Sequence, residues 1–350
     1  MALSDPNWQD LVDLNRLARW MDERGLGVGP ICSPILLTGG TQNILLKFTR
    51  SNREYVLRRP PRHLRANSNE TMRREARILS ALAGTDVPHP ALIASHPDDD
   101  ILGAAFFLMA AVDGFNATVA LPPLHAAKPE LRYAMGLALI DGLAALARVD
   151  FRLVGLSDTG RPDGYLERQV DRWLGQLAGY AEHPGWPGEH EIEGVEEVAQ
   201  WLRKHRPQSF TPGIVHGDYT FANVLFRRDS AELAAIVDWE LSTIGDPLID
   251  LGWLFATWPD QNGENPSSIS VRPWDGFPTI VDLLQRYASS SNRDLSAMDW
   301  YANFGCFKLA IILEGTYARA CDGKAAREVG ARMHKAAIGL FRRALQRLHS

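Results

Sequence analysis

Cysteine is scarce in this 350-residue sequence: Cys32, Cys306 and Cys321 form an odd, scattered set. That set excludes a disulfide framework and has no metal-ligand spacing. The three read as free structural thiols, and a reducing, cytoplasmic setting is expected. Long apolar runs are also missing. The longest nearly uncharged stretch, residues 101–112, contains Gly103 and is about half of the ~20 residues that a bilayer-spanning helix needs. No membrane span or membrane partner is therefore expected. The opening MALSDPNWQDLVDLNRLARW has no basic segment leading into an apolar one, so it reads as an amphipathic helix and not as a secretory signal. Nothing repeats at a period of about 20 to 50 residues, and no low-complexity tract occurs, which sets solenoids and propellers aside. Charge of one sign does not dominate. With 37 basic and 42 acidic residues the net charge is −5, which excludes a global electrostatic footprint for nucleic acid. What remains is 45% hydrophobic and 23% charged, over a length that allows one large domain or two lobes.

Pattern along the chain predicts an α+β protein. Residues 7–24 read as a helix closed by Gly25 and Gly27, and residues 35–47 and 55–58 read as short strands around turn signals. A helix over 70–82 and a strand over 105–109 follow. From Leu131 onward helical patterns dominate, with β-like interruptions at 214–216, 223–226 and 233–237. The reading is a β-rich N-terminal lobe, residues 1–112, followed by a larger helical lobe, residues 113–350. The boundary is set at the turn-forming Asp113-Gly114.

The most specific feature is His216-Gly217-Asp218-Tyr219-Thr220-Phe221-Ala222-Asn223, followed fifteen residues later by Asp238 after an apolar strand. Phosphoryl transfer from ATP needs a carboxylate to orient the acceptor hydroxyl and take its proton. It also needs oxygen ligands that hold Mg²⁺ on the phosphates. The kinase order is HxD, four residues, Asn, then a metal-binding Asp after a strand. In that order Asp218 is the base, and Asn223 and Asp238 are the Mg²⁺ ligands. Each of these residues alone would more often just cap a turn. His216 is read as a packed, hydrogen-bonded support of the loop.

HGDxxxxN, Val237-Asp238-Trp239-Glu240 and Gly245-Asp246-Pro247-Leu248-Ile249-Asp250-Leu251 together resemble the aminoglycoside phosphotransferase and choline kinase superfamily. The segments Tyr55-Val56-Leu57-Arg58-Arg59-Pro60 and Gly164-Tyr165-Leu166-Glu167-Arg168-Gln169 resemble the branch with the kinase-like domains of acyl-CoA dehydrogenase family members 10 and 11. The resemblance implies a two-lobed protein-kinase-like fold with ATP and Mg²⁺ as cofactors. It further implies that Asp250 braces the catalytic loop, an Asp that could equally cap the helix beginning there. The strand and connector around Met109 and Ala111 would, on the same resemblance, receive adenine.

Upstream, Thr38-Gly39-Gly40-Thr41-Gln42-Asn43 lies between two apolar strands and could close over phosphates, or could be an ordinary hairpin turn. Period-two alternation makes Arg58 the candidate phosphate cation, where the fold usually has Lys. Helical periodicity places Glu75 within the apolar stripe of Met72, Ala76, Leu79 and Leu82. A buried carboxylate requires a partner, and Arg58 can be that partner.

Asp246 follows Asp238 within eight residues, too few for a peptide-docking activation segment, so the acceptor is expected to be a small hydroxylated molecule. Tyr165 and Arg168 are read on the polar face of an amphipathic helix over 165–177, where they either meet substrate or are solvated, while Trp173 falls on the apolar face. Glu240 either contacts the acceptor or caps a helix. Residues 58–77 hold seven arginines against two glutamates, Arg62 and Arg65 among them. Such a surface favours a neutral or anionic acceptor over a polycationic aminoglycoside, and the acyl-CoA dehydrogenase-linked branch implies a hydroxyacyl thioester. The competing reading is a catalytically silent pseudokinase that binds nucleotide or metabolite as a regulatory module.

Overall fold

Ser51 and Asn52, both at positive φ (48° and 60°), reverse the chain between the two central strands of the first unit in the computed structural model. The structure describes residues 8–37, 43–62, 64, 67–260, 262–267 and 269–349. They fall into two units. The first runs to Asp113 and takes in Val237–Ser242; the second holds Gly114–Ile236 and the chain from Thr243 onward.

In the first unit, the 3₁₀ turn Trp8–Asp10 precedes α1 (Leu14–Asp22). The expected helix over 7–24 is thus broken. Asp13 caps α1 by accepting hydrogen bonds from the backbone N–H groups of Asn15 and Arg16, which fixes a start inside the predicted span. Strands β1 (Cys32–Leu36), β2 (Ile44–Arg50) and β3 (Arg53–Arg59) follow, then α2 (Ser68–Leu82), β4 (Leu92–His96) and β5 (Phe106–Ala110). All pairings are antiparallel, in the order β1-β2-β3-β5-β4. Strict alternation in β2 turns Ile44, Leu46 and Phe48 onto one face. Together with Tyr55, Leu57, Phe106 and Leu108 they bury against Leu17, Trp20 and Met21 of α1. Each such side chain contributes roughly 1.5–3 kcal/mol on leaving water. Arg58, next to Leu57 on β3, projects to the other face.

The second unit contains α3 (Pro123–Ala127), α4 (Pro129–Arg148), α5 (Gln169–Gly179), α6 (Val195–Lys204), β6 (Gly213–Val215), β7 (Val224–Phe226), β8 (Leu233–Ile236), β9 (Thr243–Gly245), α7 (Leu248–Thr257), α8 (Ile280–Ser290), α9 (Met298–Cys321) and α10 (Arg327–Leu348). β6 pairs with β9 and β7 with β8, both antiparallel. Helix α9 packs against α7 and α10. Two glycines let α7 and α9 approach closely. A Cβ on Gly252 would lie 2.2 Å from the Tyr301 carbonyl oxygen, and one on Gly305 would lie 2.4 Å from the Gly252 carbonyl oxygen. Because α5 starts at Gln169, Tyr165 and Arg168 precede the helix instead of lying along it, a correction to the predicted 165–177 span. Trp173 is buried, as its apolar face requires. Among the described residues no helix is long and apolar enough to cross a membrane.

Candidate active site

The catalytic-loop candidates lie in the second unit, where β6 ends. Gly217 follows His216 with φ of 91°, a conformation open to glycine, so the chain turns at once and brings Asp218 out beside β6. Asp250, in the first turn of α7, accepts both loop amides: His216 N–H at 2.6 Å on Oδ2 and Gly217 N–H at 2.8 Å on Oδ1. Burial pushes its carboxyl up to about 6, against the pull of those two N–H groups and of Lys308. His216 is fully buried, and its Nδ1 accepts the Asp218 N–H at 3.3 Å.

Each oxygen of Asp218 is engaged by a neutral donor. Trp253 Nε1–H, one turn along α7 from Asp250, reaches Oδ1 at 3.0 Å. Asn223 Nδ2 donates to Oδ2 at 2.8 Å and to the Asp218 backbone carbonyl at 2.9 Å. Thr220 caps the short 3₁₀ turn Phe221–Asn223, which sets the Asn223 side chain back toward the loop. Because the amide nitrogen of Asn223 is committed to Asp218, its carbonyl oxygen is turned to the opposite side.

Lys308 of α9 completes this arrangement. Its Nζ donates to the Gly217 carbonyl at 2.8 Å and stands over the Trp253 ring, 4.1 Å from the centroid. Burial pushes its pKa down to about 8, opposed by Asp218 and Asp250. Neither Trp253 nor Lys308 emerges from sequence reasoning. The one available signal for Lys308 is a single cation inside the apolar run from Phe304 to Leu313; Trp253 lies in another apolar run and offers none.

The first unit gathers a second set of charges around Arg58, which is buried on β3. Its Nε lies 2.8 Å from Glu75 Oε2, an ion pair without hydrogen-bond alignment. Its Nη2 donates to Asp238 Oδ1 at 2.6 Å and lies 3.5 Å from Glu240 Oε2. Asn43 Nδ2 holds the same Glu240 oxygen at 3.0 Å, and Arg74 donates to the Glu240 backbone carbonyl. Burial alone would lower Arg58, but Glu75, Asp238 and Glu240 raise it. Burial carries Glu75 up to about 7, with Arg58 opposing. Asp238 sits in the left-handed region (φ 67°, ψ 63°), a strained backbone for a side chain of this kind and one that clusters at functional sites.

Other predicted residues are placed as follows. Met109 is the fourth residue of β5 and Ala111 directly follows that strand; both are partly exposed. Tyr165 is half-buried with its ring against Gly245, and burial raises its hydroxyl pKa. Arg168 donates to the backbone carbonyls of Asp163 and Arg161, so it closes its own loop. Arg62 pairs with Asp10 at an exposed position, and Arg73 binds the Pro97 carbonyl. Gly39, Gly40, Thr41, Gln42 and Arg65 lie outside the described residues. Among the described residues no three His, Cys, Asp or Glu side chains are grouped to hold a metal ion. The cysteines Cys32, Cys306 and Cys321 are free thiols.

Comparison with known proteins gives the family. The profile of the phosphotransferase enzyme family (APH) matches residues 35–279. A mouse protein, acyl-CoA dehydrogenase family member 10, is 30% identical over 293 residues, and a chicken family member 11 is 31% identical over 301 residues. These matches cover 82% and 83% of the chain but only 26% and 37% of the relatives' own lengths. Among solved structures, a candidate aminoglycoside phosphotransferase from Ralstonia eutropha is 29% identical with a TM-score of 0.77, over 95% of this chain and 98% of that one.

Proposed function

Because the chain belongs to the phosphotransferase enzyme family, we propose that it transfers the γ-phosphoryl group of ATP to a hydroxyl of a small molecule, with Asp218 as the base. The observation that carries this reading is the state of Asp218. Its two oxygens accept from the N–H groups of Trp253 and Asn223, which hold the carboxylate in one orientation where the loop turns. An acceptor hydroxyl beside it would be aligned on a lone pair and lose its proton there as the bond to phosphorus forms.

The donor set fits Mg²⁺. Asn223 offers a carbonyl oxygen turned away from Asp218, and Asp238 offers a carboxylate with one oxygen outside its contact to Arg58. Each would serve as an oxygen ligand of the ion, which would take its remaining oxygens from phosphates and water. When bound, Mg²⁺ would neutralise charge on the phosphates. In the first unit, three carboxylates around one guanidinium leave an excess of negative charge that a divalent cation would relieve. Arg58 and Glu75 form the cation–carboxylate pair expected beside the nucleotide phosphates.

Lys308, buried beside Asp218 over Trp253, with Arg172 of α5 near it, makes a cationic acceptor unfavourable. We therefore assign a neutral or anionic hydroxylated acceptor. The acyl-CoA dehydrogenase relatives bring a hydroxyacyl thioester into that class. A cytoplasmic setting remains part of the proposal.

One observation favours the silent-module alternative: Arg58 stands where Lys is usual and holds Asp238 Oδ1. ADP release from Mg·ATP across a panel of hydroxylated metabolites separates the two. The wild type turns over and Asp218→Asn loses roughly a hundredfold or more while still binding ATP. Unchanged turnover in Asp218→Asn removes the assignment of the base.

A further inference from the structure

Lys308 is a buried cation with no carboxylate at ion-pair distance among the described residues; its contacts there are a backbone carbonyl and aromatic faces. A methionine would fill such a site without the cost of desolvating a charge, so the ammonium calls for a reason. The contacts supply one, and they form a single chain. Nζ holds the Gly217 carbonyl, immediately before Asp218, and stands on the Trp253 ring, whose Nε1–H ends on Asp218 Oδ1. A positive charge on the face of an indole draws electron density from the ring and strengthens its N–H as a donor.

We propose that Lys308 is a positioning residue for phosphoryl transfer: it fixes the catalytic-loop backbone at Gly217 and, through Trp253, the orientation and hydrogen bonding of Asp218. This rests on the reading of Asp218 as the base. The close crossing of α7 and α9 at Gly252 and Gly305 brings the three residues together. Charged groups face Lys308 from three elements: Asp218 of the loop and Asp250 of α7, which favour its protonation, and Arg172 of α5, which opposes it. Burial outweighs the attraction and brings Lys308 to about 8, so the ammonium is lost within an accessible alkaline range.

The test measures ADP release from Mg·ATP with water as the acceptor, between about pH 6 and about pH 9.5. The bond from the γ-phosphorus to the bridging oxygen breaks, the bond to water oxygen forms, and the water proton passes to Asp218. In the wild type, turnover falls on the alkaline side with an apparent pKa near 8. Lys308→Met lowers kcat about 10- to 100-fold. It also removes the alkaline fall and leaves ATP affinity within about twofold. Lys308→Gln, which keeps a donor for the Gly217 carbonyl without the charge, shows the same loss. Persistence of the alkaline fall in Lys308→Met, or full turnover in Lys308→Gln, overturns the proposal. A second measurement is independent of turnover: the Trp253 indole ¹H–¹⁵N resonance, assigned with Trp253→Phe, titrates near pH 8 in the wild type and ceases to titrate in Lys308→Met. A titration unchanged in that variant also overturns it. Full turnover in Asp218→Asn, with the indole titration still dependent on Lys308, would remove the base and leave the Lys308–Trp253 link standing.

Discussion

Arg58 shows at the scale of one residue how the first unit handles buried charge. Its guanidinium fork reaches Glu75 with Nε and Asp238 with Nη2, which a lysine point charge could not do at once. Removal of the cation leaves Glu75, 2% exposed, as a buried carboxylate with a backbone N–H of Trp239 but no countercharge. Arg58→Met is therefore expected to cost about 3–5 kcal/mol in urea denaturation. The double variant Arg58→Met with Glu75→Leu should recover most of that loss, because apolar residues then replace the pair. An undiminished loss in the double variant would show that the pair does not carry the cost. The Glu75 pairing was legible in the sequence because helical periodicity alone put a carboxylate in an apolar stripe and so required a cation. Trp253 and Lys308 were not legible. Their importance comes from a neighbour that only the fold supplies, and an apolar context in sequence marks them as core.

At the scale of elements, the crossing of α7 and α9 decides where Asp250, Trp253 and Lys308 stand. The backbones meet at Gly252 and Gly305, with no room for a side chain on either. Gly305→Val should destabilise the fold by about 1–3 kcal/mol through overpacking, more if the helices cannot shift. It should also reduce turnover, because α9 carries Lys308 and α7 carries Trp253. Stability and turnover both unchanged would mean that the crossing tolerates separation. Sequence pattern located β6, β7, β8 and α2 well, because their apolar runs end in clear turn signals. It missed β4, whose partly buried residues give no period-two alternation, and it started α5 four residues early. There Leu166 continues the apolar phase of the helix into the preceding turn, so periodicity could not mark the boundary.

For the whole molecule, three buried groups shape stability against pH. Asp250 and Glu75 rise from 3.8 and 4.5 to about 6 and about 7, so over those intervals the folded chain holds protons that the unfolded chain has lost. Their contribution is fully present below the unfolded values and disappears as pH rises through the folded ones. Lys308 falls from 10.5 to about 8, so its contribution is present above 10.5 and is lost as pH falls through about 8. Together these groups place a stability minimum between about 7 and about 8. Urea midpoints measured against pH check this: Glu75→Gln should flatten the acid side and Lys308→Met the alkaline side. Slopes identical to wild type in both variants would contradict it. The proposed chemistry could be read from the motif residues from His216 to Asn223, with Asp238, because they lie close together along the chain. The acceptor side was less legible, since its candidates are scattered and Arg168 proves to be spent on its own loop. The most direct test of the central claim is ³¹P NMR of the protein with Mg·ATP and a pool of neutral and anionic hydroxylated metabolites. A new phosphomonoester resonance that requires both Mg²⁺ and Asp218 is the predicted result; ATP that binds and never yields such a resonance would contradict it.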